Sequence, residues 1–168
     1  VTGPINIENN ESLTSFSGFM DLDSIYGHLF IENNALITDM SGFDNLVFIG
    51  DRCQIWNNEN LVSLNGFDNL KTLTMGLELL NNHNLSSISS LSLLENLGWL
   101  YIRNAKINSL HGLENIDSVY GNFQLSNLNH LKTIDYLDSL RYVGSMLEVG
   151  YSDSLQSLNG FCNIENPG

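Results

Sequence analysis

Residues 43–70 read FDNLVFIGDRCQIWNNENLVSLNGFDNL, and the stretch begins and ends on the same tetrapeptide. FDNL at 43–46 returns as FDNL at 67–70, a spacing of 24 residues. Between the copies stands a strand-like alternation, Cys53-Gln54-Ile55-Trp56, followed by the pair Asn57-Asn58. Outward from there, the pair recurs with the same period: IENN at 7–10, IENN at 31–34, IWNN at 55–58 and LLNN at 79–82. LTSFSGF at 13–19 and LQSLNGF at 155–161 echo LVSLNGF at 61–67. With φ for an apolar residue, the unit is φ-x-φ-x-N-N-x-x-φ-x-S-φ-x-G-φ-x-N-φ-x-x-φ. A fixed period of this length is the signature of a solenoid. About seven copies fill residues 1–168 as a single solenoid domain. Later copies lose part of the Asn pair, and one-residue deletions before Trp99 and around Ala105 shorten the fifth.

Each φ position becomes a column when the copies are stacked. Ile5, Leu29, Cys53, Leu77, Leu100, Phe123 and Leu147 make one column; Ile7, Ile31, Ile55, Leu79, Ile102, Leu125 and Val149 make the next. Further columns start at Leu13, Phe16 and Phe19. No charge interrupts any of them, so they predict a continuous core shared between coils that cannot bury an apolar face alone. The period-two alternation predicts one short strand per coil, stacked into a parallel sheet about 4.8 Å between strands. The second Asn of each pair (Asn10, Asn34, Asn58, Asn82) is placed at a corner, where stacked amides form a ladder. Gly18, Gly42, Gly66, Gly112 and Gly160 are expected at a second corner with positive φ. The column from Ser15 and Asp39 to Ser157 is expected to cap backbone there, and the adjoining SφxGφ segment is read as sheet-like. Coils this short leave room for single 3₁₀ turns but not for long helices.

The pattern L-x-N-L-x-x-I-x-G-x-L-x-I-x-N-N-x-x-L, best seen at 43–70, resembles the receptor L-domain family, a relative of the leucine-rich repeats. The likeness extends over nearly the whole chain. It implies a right-handed single-stranded β-helix of about seven coils of about 24 residues, used for ligand or partner binding outside the cell. The disulfides of the receptor members are missing, which points to a microbial surface protein. An ordinary leucine-rich horseshoe is the alternative fold, favoured locally by LGWLYIRNAKI at 97–107.

Composition narrows the function. A net charge of −13, from 19 acidic and 6 basic residues, repels phosphate backbones and anionic lipid. Nucleic-acid binding and direct membrane insertion are therefore not expected. Val1-Thr2-Gly3-Pro4 runs straight into a repeat, so the chain is expected to be a fragment of a longer precursor, secreted or on the cell surface. Cys53 belongs to a core column, and Cys162 lies more than four coils away, roughly 20 Å at the stacking distance, so no bridge joins them. His28, His83, His111 and His130 occupy unrelated repeat positions, and the corner carboxylates Asp44, Asp68, Glu114 and Asp138 lack a calcium-loop pattern. No metal, no cofactor and no catalytic residues are expected, because no nucleophile elbow, phosphate loop or zinc motif occurs. The sequons at Asn10 and Asn84 are read as chance occurrences, Asn10 being held in the ladder.

The outward columns of the main sheet behave differently. They run Pro4, His28, Arg52, Gly76, Trp99, Asn122, Met146; Asn6, Phe30, Gln54, Glu78, Tyr101, Gln124, Glu148; and Glu8, Glu32, Trp56, Leu80, Arg103, Ser126, Gly150. Core columns repeat their residue class, whereas these do not. Copies two to five gather Phe30, Glu32, Trp56, Leu80, Trp99, Tyr101 and Arg103, including both tryptophans of the chain. Aromatics mixed with Arg are what protein interfaces and sugar-stacking surfaces favour. The competing explanation is that large residues on a sheet merely pack on one another. The expectation is a non-catalytic recognition or adhesion module binding a protein or glycan on this face. The alternative is a structural spacer. Exposed sheet edges at the coil ends add an expectation of self-association.

Overall fold

The computed structural model describes residues 1–165 and is a β-solenoid. Its strands are β1 (Ile5–Glu8), β2 (Ser24–Ile25), β3 (Leu29–Glu32), β4 (Phe48–Ile49), β5 (Cys53–Trp56), β6 (Thr72–Leu73), β7 (Gly76–Leu80), β8 (Asn96–Leu97), β9 (Trp99–Arg103), β10 (Ser118–Val119), β11 (Phe123–Ser126), β12 (Tyr142–Val143) and β13 (Leu147–Gly150). Seven of them form the main sheet, entirely parallel, in the order β1-β3-β5-β7-β9-β11-β13. The register is the one the columns demand: Ile5 faces Leu29, Leu29 faces Cys53, Cys53 faces Leu77, and Leu77 faces Leu100. Because side chains alternate along a strand, a slip of one residue would turn the whole core column to solvent.

The core columns are buried through the middle coils, from Leu29 and Ile31 through Phe43, Phe67 and Leu91 to Phe123 and Leu137, while Ile7, Leu13 and Phe19 of the first coil are half-buried. In the last coil Leu147 and Leu158 are exposed, at 42% and 55%. Three 3₁₀ helices, Ser17–Phe19, Ser89–Leu91 and Asn159–Phe161, supply the short turns that the coil length allows.

The corners are built from polar columns. Asn34 and Asn58 are fully buried; the Asn34 backbone N–H donates to Asn58 Oδ1 at 3.0 Å, and that of Asn58 to Asn82 Oδ1 at 3.0 Å. Each carboxamide also reaches one coil back, Asn58 Nδ2 to Ile31 O and Asn82 Nδ2 to Ile55 O. The first Asn of the pair does something the repeat pattern alone did not reveal. Asn9, Asn33, Asn57, Asn81, Asn104 and Asn127 all take φ between 54° and 58°. Asn tolerates this left-handed conformation better than other residues with a Cβ, and several of these side chains form a second ladder, as Asn33 Nδ2 to Asn9 Oδ1 and Asn81 Nδ2 to Asn57 Oδ1, both 2.9 Å.

Three sequence expectations need correction. Among the corner glycines only Gly42, Gly66 and Gly112 have positive φ; Gly18 and Gly160 lie within 3₁₀ turns, which need none. The SφxGφ segments are not sheet, contributing only the isolated bridges Ser63–Ser87 and Thr133–Ser157. The second side of the solenoid is instead the later φ pair, in two separate ladders, β2-β4-β6 and β8-β10-β12. Asn10, at the open end of its ladder, is exposed, although its Nδ2 is bonded to Glu8 O and Asn34 Oδ1. Most of the capping column behaves as expected: Asp39 accepts from Ser41 N–H, Ser63 from Asn65, Ser109 from His111 and Ser157 from Asn159, whereas the Ser15 and Thr133 hydroxyls bond the Ser17 and Asp135 side chains instead.

Candidate functional site

Strands β3, β5, β7 and β9 carry the irregular aromatic residues. Because Leu29, Ile31, Cys53, Ile55, Leu77, Leu79, Leu100 and Ile102 must point inward, Phe30, Glu32, Trp56, Leu80, Trp99, Tyr101 and Arg103 are forced outward, and all seven are half-buried. The structure brings them together in two groups. Phe30 and Trp56 meet edge to face, their ring centroids 5.0 Å apart, an arrangement favoured by ring quadrupoles. Glu32 sits beside them, opposite Trp56 in the register, and accepts from Asn57 Nδ2 at 3.0 Å. On β9, the Arg103 guanidinium carbon lies 5.4 Å from the Tyr101 ring centroid. Leu80 connects the groups, facing Trp56 on one side and Arg103 on the other.

Trp99 has a partner of its own. It faces Gly76 in the register, and a Cβ on Gly76 would fall 2.5–2.6 Å from three carbons of the indole. The ring therefore lies directly on the glycine backbone, and only a residue without a side chain leaves it room. The Nε1 atoms of Trp56 and Trp99 are buried without a hydrogen-bond partner. What each indole offers to an approaching molecule is thus carbon, suited to stacking more than to hydrogen bonding.

A polar lattice surrounds these rings, and sequence reasoning did not anticipate it. Arg52 Nε donates to Gln54 Oε1 at 2.8 Å, and Gln54 Nε2 to Glu78 Oε2 at 3.0 Å. Arg103 donates to Gln124, which is almost fully buried, and Asn122 Nδ2 donates to Tyr101 Oη at 2.7 Å. His28 donates to Asn6 Oδ1 at 2.8 Å. The signal was present in the outward columns, where Gln54, Glu78, Asn122 and Gln124 stand one coil from their partners.

The other candidates resolve into structure. Asp44 and Asp68 accept from the N–H of Gly42 and Gly66 at 2.8 and 3.0 Å, and Glu114 accepts from Gly112 in the same way. Each carboxylate thus holds its own turn. Cys53 is fully buried, and desolvation pushes its thiol up to about 12; Cys162 is exposed, and neither forms a disulfide. Among the described residues no three His, Cys, Asp or Glu side chains converge on a common point, and no helix is long and apolar enough to cross a membrane. No family model, curated protein or solved structure matches the chain.

Proposed function

We propose that this solenoid is a non-catalytic recognition module, of a secreted or cell-surface protein, whose main sheet receives a protein or glycan on its outward face across β3 to β9. The observation that carries this reading is the pair of half-exposed indoles, Trp56 and Trp99, presenting carbon surface with their N–H groups turned in. Phe30, Leu80 and Tyr101 extend that surface, and Glu32 and Arg103 put one charge of each sign beside it. A rigid parallel sheet holds the whole array, so little ordering entropy is lost on binding.

One observation favours the alternative of a structural spacer: Trp99 is committed to covering Gly76 and Arg103 to bonding Gln124. Trp56 and Tyr101 separate the two readings. The chain is screened against immobilised glycans and extracellular proteins, and any hit is repeated with Trp56→Ala and Tyr101→Ala. The recognition reading expects affinity to fall at least about tenfold in each, with thermal unfolding little changed. Undiminished binding in both variants would place the site elsewhere.

A further inference from the structure

The second side of the solenoid is interrupted at one place. At every other junction between its short strands, two backbone hydrogen bonds tie a coil to its predecessor. Val47 N–H donates to Asp23 O and Gly50 N–H to Ile25 O; Lys71 N–H donates to Val47 O and Thr74 N–H to Ile49 O. Farther on, Asp117 and Tyr120 donate to Glu95 O and Leu97 O, then Arg141 and Gly144 to Asp117 O and Val119 O. By the same parity, Glu95 and Gly98 belong on Lys71 O and Leu73 O. Neither bond is present, and β6 and β8 do not pair.

The cause is visible in the chain. Three residues turn the corner from Ile25 to Leu29, from Ile49 to Cys53, from Leu73 to Leu77 and from Val119 to Phe123, but only Gly98 and Trp99 connect Leu97 to Leu100. The core fixes Leu97 and Leu100 in their columns, both essentially inaccessible. The shortened corner stays tied to the preceding coil, Trp99 N–H donating to Met75 O at 3.1 Å, and Gly98 comes as close to the Met75 carbonyl as Gly144 does to that of Tyr120 in a regular corner. The adjoining strand is left out of bonding range.

A cleft of about 270 Å³ lies at this break, lined by Lys71–Thr74, Glu95–Gly98 and Tyr120. Among the described residues no backbone group claims the Lys71 and Leu73 carbonyls on one side or the Glu95 and Gly98 N–H groups on the other. The Lys71, Thr72, Glu95, Asn96 and Tyr120 side chains have no hydrogen-bond or ion-pair partner among the described residues. That contrasts with the surrounding surface, where Asn45, Asn69 and Asn115 are each tied to a neighbouring coil. Tyr120 is 63% exposed and rests against Tyr142, with centroids 6.3 Å apart.

We propose that this cleft is a second binding site, separate from the aromatic sheet face, and that it takes a single pyranose unit. Its volume falls just under the ~300–1,000 Å³ that drug-sized ligands occupy, which suits one ring. A carboxylate or phosphate only accepts hydrogen bonds, so it leaves the Lys71 and Leu73 carbonyls unmet and faces Glu95. A metal ion only satisfies the carbonyls and meets two N–H groups and an ammonium. Sugar hydroxyls both donate and accept, so neighbouring hydroxyls satisfy both walls at once, and the apolar face of the ring stacks on Tyr120.

The test uses the ¹⁵N-labelled chain titrated with methyl glucoside, methyl mannoside, methyl galactoside and N-acetylglucosamine, following the amide signals of Glu95, Gly98 and Tyr120. At least one sugar is expected to move these signals saturably in the millimolar range, about tenfold more weakly in Tyr120→Ala. Trp56→Ala leaves the effect intact, which separates this site from the one on the main sheet. Inserting a threonine between Gly98 and Trp99 restores the three-residue corner, closes the ladder and removes the response. Absence of saturable movement with all of these sugars overturns the proposal, as does an undiminished response in Tyr120→Ala.

Discussion

Replacing Asn58 by alanine tests whether the amide ladder is what holds successive coils together. The side chain is fully buried, and its Oδ1 is the acceptor of the Asn34 backbone N–H at 3.0 Å. Removing it strands that donor in the interior, at a cost of about 1–3 kcal/mol. Its Nδ2 also bonds Ile31 O and Trp56 O at 3.1 and 2.9 Å. Trp56 O keeps the Asn33 N–H, so that loss is partial, and the two bonds together add about 1 kcal/mol. The backbone bond from residue 58 to Asn82 Oδ1 survives the substitution. The total, about 2–4 kcal/mol, is a large share of the ~5–15 kcal/mol that holds a typical domain folded.

Urea unfolding followed by circular dichroism measures the loss. With a slope of about 2 kcal/mol per molar urea, the midpoint falls by about 1–2 M. Solenoids can open coil by coil, so hydrogen exchange at the Asn34 amide supplies a local reading, and it is expected to quicken more than at Leu131. Asn60→Ala is the control: that side chain is exposed and makes one bond, Nδ2 to Ala35 O, so its removal stays within about 0.5 kcal/mol. If Asn58→Ala costs no more than Asn60→Ala, the ladder contributes nothing net and the reasoning fails.

Two further outcomes follow from the corners and the core. Gly66→Ala imposes a Cβ on a residue at φ 108°, in conflict with the Met40 carbonyl; a loss of about 3 kcal/mol or more is expected on thermal unfolding. Gly18→Ala, at the same repeat position but with open space around it, stays within about 0.5 kcal/mol. Under native conditions a thiol reagent labels Cys162 and spares Cys53 until the chain unfolds. Burial raises the Cys53 thiol from 9.0 to about 12, so the folded state holds its proton where the unfolded state has lost it. The thiol therefore stabilises the fold fully below pH 9.0, and that contribution falls as pH rises towards 12. Cys53→Val should flatten this alkaline loss.

The core was legible because stacking copies the requirement for an apolar residue from coil to coil, from Leu29 to Cys53 to Leu77. What escaped had no such copy, or more than one conformation compatible with the same letters. Gly18 and Gly42 share a column, yet one turns through a 3₁₀ helix and the other through positive φ. The conformational role of Asn33 and Asn57 was hidden behind the more obvious ladder of Asn34 and Asn58. The outward residues were placed on the correct face, because the parity of a strand leaves no choice once its core positions are known. Their mutual bonds were not read, since Gln54 reaching Glu78 depends on side-chain reach between coils.

The deletion before Trp99 shows how a repeat protein acquires positions its own pattern does not dictate. In a regular junction the backbone of each coil bonds the next, and a polar side chain there is consumed by the stack, as Asn69 is by the Asp44 carbonyl. Shortening one corner by a residue leaves the core columns intact, because Leu97 and Leu100 still reach their places. The backbone bonds to Lys71 and Leu73 are lost instead. Partnerless groups are then concentrated at one junction while the solenoid continues on both sides. The same corner delivers Trp99 onto Gly76 at the edge of the aromatic face, so polar cleft and carbon surface adjoin through Gly98 and Trp99. A ligand that contacts both would need hydroxyls at one end and an apolar face at the other. Inserting one residue after Gly98 should remove the first contact while leaving Trp99 in register with Gly76 to make the second.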